Sequence, residues 1–196
     1  MRSTRSGFLR FSFAVSLIAA AFFAAPAHAT CSRENVICGP CSEANLVWDY
    51  DFSDSSCNAW QTSGSGTQKF PSGATMCSNQ GVGARFVGPT NGWSYFYQST
   101  DADAGGSTFS LDYYVEIYDP GNSSSNRVSV EILANGVWTT VDAPAGGNRY
   151  CETRSINLGS HPEWVGKTLQ IWLGGYAANS SSTVSVQSIA LWQTLQ

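Results

Sequence analysis

Histidine is almost missing from this chain. Two of its 196 residues are His, namely His28 and His161. A Ser-His-Asp triad would have to use His161, which lies in the turn-like run Ser160-His161-Pro162-Glu163, and no Gly-x-Ser-x-Gly elbow accompanies it. Positive charge is also scarce. Ten Lys and Arg stand against fourteen Asp and Glu, and the basic residues beyond position 30 (Arg33, Lys69, Arg85, Arg127, Arg149, Arg154 and Lys167) are scattered. Nucleic acids and anionic membrane surfaces call for clustered cations, so neither is expected as a partner. The sequence has no phosphate loop, dinucleotide fingerprint or complete zinc motif. Beyond residue 29 no run is long and apolar enough to insert in a membrane, and no stretch repeats its apolar residues with a helical period.

What is present begins at the N-terminus. Arg2, Arg5 and Arg10 precede an apolar run over 11–25, and Ala27-His28-Ala29 places small residues at the −3 and −1 positions of a cleavage site. This pattern predicts a secretory signal over 1–29, a mature chain starting at Thr30, and a secreted location, extracellular or periplasmic. Lipidation at Cys31 is not expected, because His28-Ala29-Thr30 lacks the Leu usual three residues before a lipidated Cys. The cut removes three basic residues and no acid, which leaves seven against fourteen and a net charge of −7.

All six cysteines (Cys31, Cys38, Cys41, Cys57, Cys77 and Cys151) follow the cut. An even number in an exported chain predicts disulfides, whose pairing the sequence leaves open. Cys38-Gly39-Pro40-Cys41 has the spacing of a redox motif or of half a zinc site. The first would need a strand before it and a helix after it. The second would need another ligand pair, which Cys57, Cys77 and Cys151 do not supply, so no metal site is assigned. The reading is a Cys-rich leader over 30–44, pinned by disulfides to a single domain over 45–196.

The domain reads as β-structure. Phe109, Leu111, Tyr113, Val115 and Ile117 alternate with polar neighbours. So do Val128, Val130 and Ile132, and Leu169, Ile171 and Leu173, with Val184 and Val186 marking a last strand. Shorter strands are expected over 46–52, 84–87, 93–99, 138–141 and 155–158, and at most one short turn over 162–165. Asn135-Gly136 between apolar runs predicts a two-residue hairpin. Many short strands without helices imply an all-β, two-sheet antiparallel sandwich.

Several segments carry a resemblance. Asn45-Leu46-Val47-Trp48-Asp49-Tyr50-Asp51-Phe52 followed by Trp60 resembles the opening strand of galactose-binding-like β-sandwich modules. Tyr95-Phe96-Tyr97-Gln98 and Phe109-Ser110-Leu111-Asp112 are similar to that family's next strands. Val165-Gly166-Lys167-Thr168-Leu169 and Ser188-Ile189-Ala190-Leu191 fall where its last strands lie. The resemblance implies a jelly-roll sandwich, and many such modules bind carbohydrate without catalysis. Many also hold a structural calcium through acids on the opening and closing strands. Here those positions are Ser53, Gln187 and Ser188, which leaves only Asp49, Asp51 and Asp54 as donors; no cofactor is expected, with a structural calcium held by these acids as the lesser alternative.

Sugar rings stack their CH faces on aromatic rings and need paired polar groups for their hydroxyls. Tyr114 and Trp172 lie on the polar sides of their strands, with Glu116, Glu131 and Gln170 on comparable faces. If these strands are neighbours, as the resemblance implies, Tyr114, Glu116, Glu131, Gln170 and Trp172 form a binding platform. Trp93, Tyr95 and Tyr176 form a second, loop-borne patch, read more readily as structural. Trp48, Trp60, Trp138 and Trp192 are assigned to the core or its ends. The function expected is a non-catalytic, lectin-like carbohydrate-binding module with a glycan or polysaccharide partner. One alternative is a structural or adhesion protein that binds another extracellular protein. A second is a polysaccharide-cleaving enzyme built on paired carboxylates among Asp112, Glu116 and Glu131.

Overall fold

The computed structural model describes residues 37–38, 41–52, 59–69, 83–88, 92–121, 125–146 and 149–195. The signal segment 1–29 and Cys31, Ser53, Asp54, Cys57 and Cys77 lie outside the described residues, as do the side chains of Cys38 and Cys41. Every regular element described is a strand: β1 Ile37–Cys38, β2 Cys41–Asn45, β3 Gln61–Ser63, β4 Thr67–Lys69, β5 Ala84–Val87, β6 Ser94–Asp101, β7 Gly106–Tyr118, β8 Asn126–Ala134, β9 Val137–Asp142, β10 Ala145–Gly146, β11 Arg149–Ser160, β12 Thr168–Tyr176 and β13 Thr183–Leu195.

The strands form two antiparallel sheets. In the first, β13 is flanked on one side by β7 and β11, and on the other by β2 and β5, which carry β1 and β4. In the second the order is β10–β8–β12–β6–β3, with β9 also on β8. The segment read as a leader thus supplies two strands, since β2 pairs with the end of β13. Cys38 and Cys41 are Cα partners across β1 and β2. A strand rather than a helix follows the CxxC, so the context that redox chemistry requires is missing. Cys151 is disulfide-bonded.

The alternation read from the sequence becomes the core. Leu111, Val115 and Ile117 of one sheet, and Val128, Val130, Leu169, Ile171 and Leu173 of the other, are fully buried. Sealing these side chains between the sheets stabilises the fold by roughly 1.5–3 kcal/mol each. In β13 the apolar spacing breaks between Val186 and Ile189, both buried. A bulge between Val186 and Ser188 absorbs the extra residue and restores the face. Trp164 closes one end, edge-on to Phe109 at 5.2 Å and stacked on His161 at 3.7 Å. That contact, with the His161 Nδ1–Glu163 Oε1 pairing at 2.7 Å, gives the second histidine a structural position.

Asn135 and Gly136 both take positive φ, 51° and 79°, and join β8 to β9 as the dipeptide predicts. One expectation fails. Residues 46–52 are a turn rather than a strand, with Asp49 and Phe52 at φ 49° and 57°. Buried Gln98 holds the turn, accepting from the Trp48 amide at 2.9 Å and donating to its carbonyl at 3.0 Å. Trp60 Nε1 donates to the Asp49 carbonyl at 3.1 Å.

Candidate functional site

The outward face of the second sheet carries an unusual run of rings. Leu169, Ile171 and Leu173 of β12 point inward, so Gln170 and Trp172 point out. Trp172 is the Cα partner of Glu131 on β8 and of Tyr97 on β6. Tyr97 stacks on Trp172 at 4.2 Å with 8° between planes, and Tyr95 meets Trp172 edge-on at 5.4 Å. Trp138 of β9 approaches its other side at 5.2 Å and 74°. From Tyr95 the run continues to Trp93 at 6.3 Å and then to Tyr176 at 6.2 Å. Six aromatic side chains from β9, β12, β6 and the approach to β6 form one connected patch.

Gly174 makes this patch possible. It lies between Trp172 and Tyr176 and opposite Tyr95. A Cβ there would stand 2.8 Å from Tyr95 Cε1 and 3.0 Å from Trp93 Cε3. With no side chain in the way, both rings lie down over the strand. Trp138 is 51% and Trp93 39% exposed, so the two ends of the patch offer open ring surface. The Trp172–Tyr97 pair, whose members are half-buried, forms its middle. Leaving so much aromatic surface in water is costly unless something covers it.

Polar groups are interleaved with the rings. Trp172 Nε1 donates to Gln170 Oε1 at 3.2 Å, and Ser129 Oγ donates to Glu131 Oε1 at 2.6 Å. Gln61, Ser99 and Thr140 are exposed around them. Burial, and secondarily the charge of Glu131, holds the Tyr95 hydroxyl above its ordinary pKa, so it stays a neutral donor and acceptor. At one end Trp93, Ser125, Arg127 and Tyr176 line a depression of about 270 Å³.

Glu131, Gln170 and Trp172 therefore share a face, and Trp93, Tyr95 and Tyr176 belong to the same face rather than to a separate patch. Tyr114 and Glu116 do not join them. They lie on β7, in the opposite sheet, and face the other way. Glu116 is also buried, accepting from Gln187 Nε2 at 2.9 Å. Burial and the adjacent Glu116 raise the Tyr114 pKa, against the opposing pull of Arg149. The five-residue platform is thus corrected to a site on one sheet. Trp138, assigned to the core by sequence, is corrected to the open face, and Tyr97 is added; Trp60 is buried as expected. Tyr97 was signalled by its alternation with Phe96. Trp138 was signalled by the hairpin, whose two-residue turn fixes Trp138 opposite Leu133 on the Glu131 side.

The carboxylate pairing required for glycoside hydrolysis is not assembled from the expected residues. Glu116 and Asp112 are on the opposite sheet from Glu131, and they stand four residues apart on β7, about 13 Å along the strand, with Glu116 buried and bonded to Gln187. On the aromatic face Asp101 lies four residues along and two strands away from the Glu131 level. Standard sheet spacings make that about 13 Å along and about 10 Å across, beyond the roughly 5–9.5 Å that either hydrolytic geometry uses. Among the described residues no group of three or more His, Cys, Asp or Glu could hold a metal ion. Asp49 is buried, with its backbone carbonyl accepting from Trp60 Nε1, and Gln187 is engaged with Glu116.

Similar architecture occurs among solved structures. The carbohydrate-binding module TmCBM61, in complex with β-1,4-galactotriose, aligns with a TM-score of 0.54 at 11% identity, over 76% of this chain and 98% of that one. The fold that this chain shares with that module is a two-sheet antiparallel β-sandwich. The K3 cleaved adhesin domain of Lys-gingipain from Porphyromonas gingivalis shares the module fold with a TM-score of 0.51 at 13% identity, over 77% of this chain and 99% of that one. No family model matches the sequence, and no curated protein matches it either. At these identities the likeness concerns the module fold, and the ring-lined face is described from this chain's own residues.

Proposed function

We propose that this protein is an exported, non-catalytic carbohydrate-binding module whose sugar-contact surface is the outward face of β9–β8–β12–β6. The observation that carries the reading is the connected patch of Trp93, Tyr95, Tyr97, Trp138, Trp172 and Tyr176, open at both ends. Trp138 and Trp93 supply ring faces for pyranose CH surfaces, while Glu131, Gln170 and Gln61 supply acceptors and donors for hydroxyls. From the Trp93 level to the Trp138 level the patch runs about 20 Å along the strands, a length suited to several linked sugars. The likeness to a module solved with β-1,4-galactotriose supports a glycan chain as the ligand class. The signal pattern over 1–29 supports a place outside the cytoplasm.

The test is a pull-down of the mature chain with plant, microbial and animal polysaccharides, repeated with Trp172→Ala. Retention on at least one polymer, lost in the variant, is expected. No retention on any of them, by a chain shown to be folded, overturns the reading. A second reading rests on Val137 and Trp138, 64% and 51% exposed at the start of β9. This apolar edge could contact a protein, as an adhesion domain would, and capture of a protein ligand with no glycan retention would favour it.

A further inference from the structure

The depression at one end of the aromatic face differs from the rest of it in charge. Arg127 and Tyr176 are Cα partners across β8 and β12, and Ser94 at the start of β6 pairs with Gly175, which brings Trp93 beside Tyr176. With Ser125 these residues enclose about 270 Å³, below the roughly 300–1,000 Å³ of drug-sized ligand pockets and suited to a single sugar ring. Arg127 is exposed, and it is the one basic side chain on this face among the described residues. No acidic side chain among the described residues pairs with it. Arg154, by contrast, is committed to Asp142 and Glu152.

We propose that Trp93, Tyr176 and Arg127 form a subsite for an anionic sugar, one carrying a carboxylate such as a uronic acid. This deepens the proposed function and rests on it. The guanidinium is a planar fork of donors that matches a carboxylate in bidentate fashion, and two rings are placed to hold the sugar that carries it. Glu131 sets the orientation. It lies four residues along β8 on the same face, about 13 Å away, and repels a carboxylate from the centre of the patch. The acidic sugar is therefore directed to the Arg127 end, while neutral sugars cross Trp172. In a chain with net charge −7 after signal removal, this one placed cation decides between acidic and neutral glycans.

The test compares matched ligands by isothermal titration. The probes are the trisaccharides of galacturonate and of mannuronate, each set against its own carboxyl-reduced form, with the mature chain and with Arg127→Gln. The acid form of at least one pair is expected to bind the wild type roughly tenfold more tightly at low salt, with the ratio shrinking in 0.5 M NaCl and falling to near one in Arg127→Gln. Equal binding of acid and reduced forms, or a preference that survives Arg127→Gln, overturns the subsite but leaves the carbohydrate reading standing. Binding of neither form, together with no retention on any polysaccharide, overturns both. Thermal unfolding of Arg127→Gln, expected to match the wild type because the side chain is exposed, excludes misfolding as the cause.

Discussion

Two adjacent glycines on β12 should have opposite phenotypes when replaced by alanine. Gly174 faces out, under the rings of Tyr95 and Trp93, and Gly175 faces into the core. A Cβ at Gly175 would stand 2.1 Å from Cγ of fully buried Phe86. No rotamer change relieves that contact without displacing Phe86 from its place against Phe96, 5.5 Å away. Overpacking of this kind costs about 1–3 kcal/mol or more, and each kcal/mol lowers Tm by roughly 2–4 °C in a domain of this size. Gly175→Ala is therefore expected to unfold several degrees early. At Gly174 the Cβ would meet ring edges at 2.8 and 3.0 Å, short of the ordinary 3.5–4.0 Å carbon contact by roughly 0.5–1 Å. Those rings lie on the surface and can lift, and alanine in a strand is about 0.5–1 kcal/mol better than glycine, so stability should change by less than about 1 kcal/mol. Lifting Tyr95 and Trp93 weakens their sugar–ring contacts by about 0.5–1.5 kcal/mol in all, a loss of roughly 2- to 12-fold in affinity. Circular dichroism melts and titration with a retained polysaccharide read the two quantities separately. If Gly174→Ala binds like the wild type, or melts as early as Gly175→Ala, the assignment of the two faces fails.

Two further predictions concern the frame that holds this face. Gln98→Leu removes the two bonds that Gln98 makes to the half-buried Trp48 amide and carbonyl, at about 1–3 kcal/mol in all, and a lower urea midpoint is expected; an unchanged midpoint would mean that the 46–52 turn is held by other contacts. Tyr113, fully buried, donates to Asp142 Oδ2 at 2.7 Å, and Asp142 also receives Arg154 Nε at 2.5 Å, so this network ties the end of β9 to the opposite sheet. Burial first, and then Asp142, hold the Tyr113 phenol well above its ordinary pKa of 10.0. With the folded value above the unfolded one, the contribution is complete below about pH 10 and is lost as pH rises beyond it. Tyr113→Phe should cost about 1–2 kcal/mol at pH 7 and give a shallower alkaline decline than the wild type, and parallel alkaline limbs would contradict the sign.

Much of the fold was legible because a strand's alternation is a physical period. Phe109 to Ile117, Val128 to Ile132 and Leu169 to Leu173 could face only inward, and Asn135-Gly136 fixed its own turn. The 46–52 segment misled because its apolar residues suit a strand, whereas its conformation is set by Gln98 and by Ile189, whose amide bonds the Tyr50 carbonyl, both distant in sequence. The site was legible only within each strand. That Trp172 and Glu131 point outward follows from local alternation. That β7 belongs to the opposite sheet does not, and the error over Tyr114 and Glu116 arose there. Trp138 could have been placed from the register of its hairpin. Tyr97 could have been placed from its alternation with Phe96. The clearance that Gly174 gives Tyr95 and Trp93 depends on cross-strand contact that no single strand encodes.

The central claim is that glycans are held by the rings of the β9–β8–β12–β6 face, and the indole N–H signals of the folded chain test it most directly. Seven tryptophans give seven resolvable signals, which single Trp→Phe variants assign. On titration with a polysaccharide fragment retained in the pull-down, the signals of Trp93, Trp138 and Trp172 should shift and saturate together, while those of buried Trp60 and Trp164 stay in place. Shifts confined to Trp48 and Trp192, with the three face tryptophans unmoved at saturation, would contradict the account.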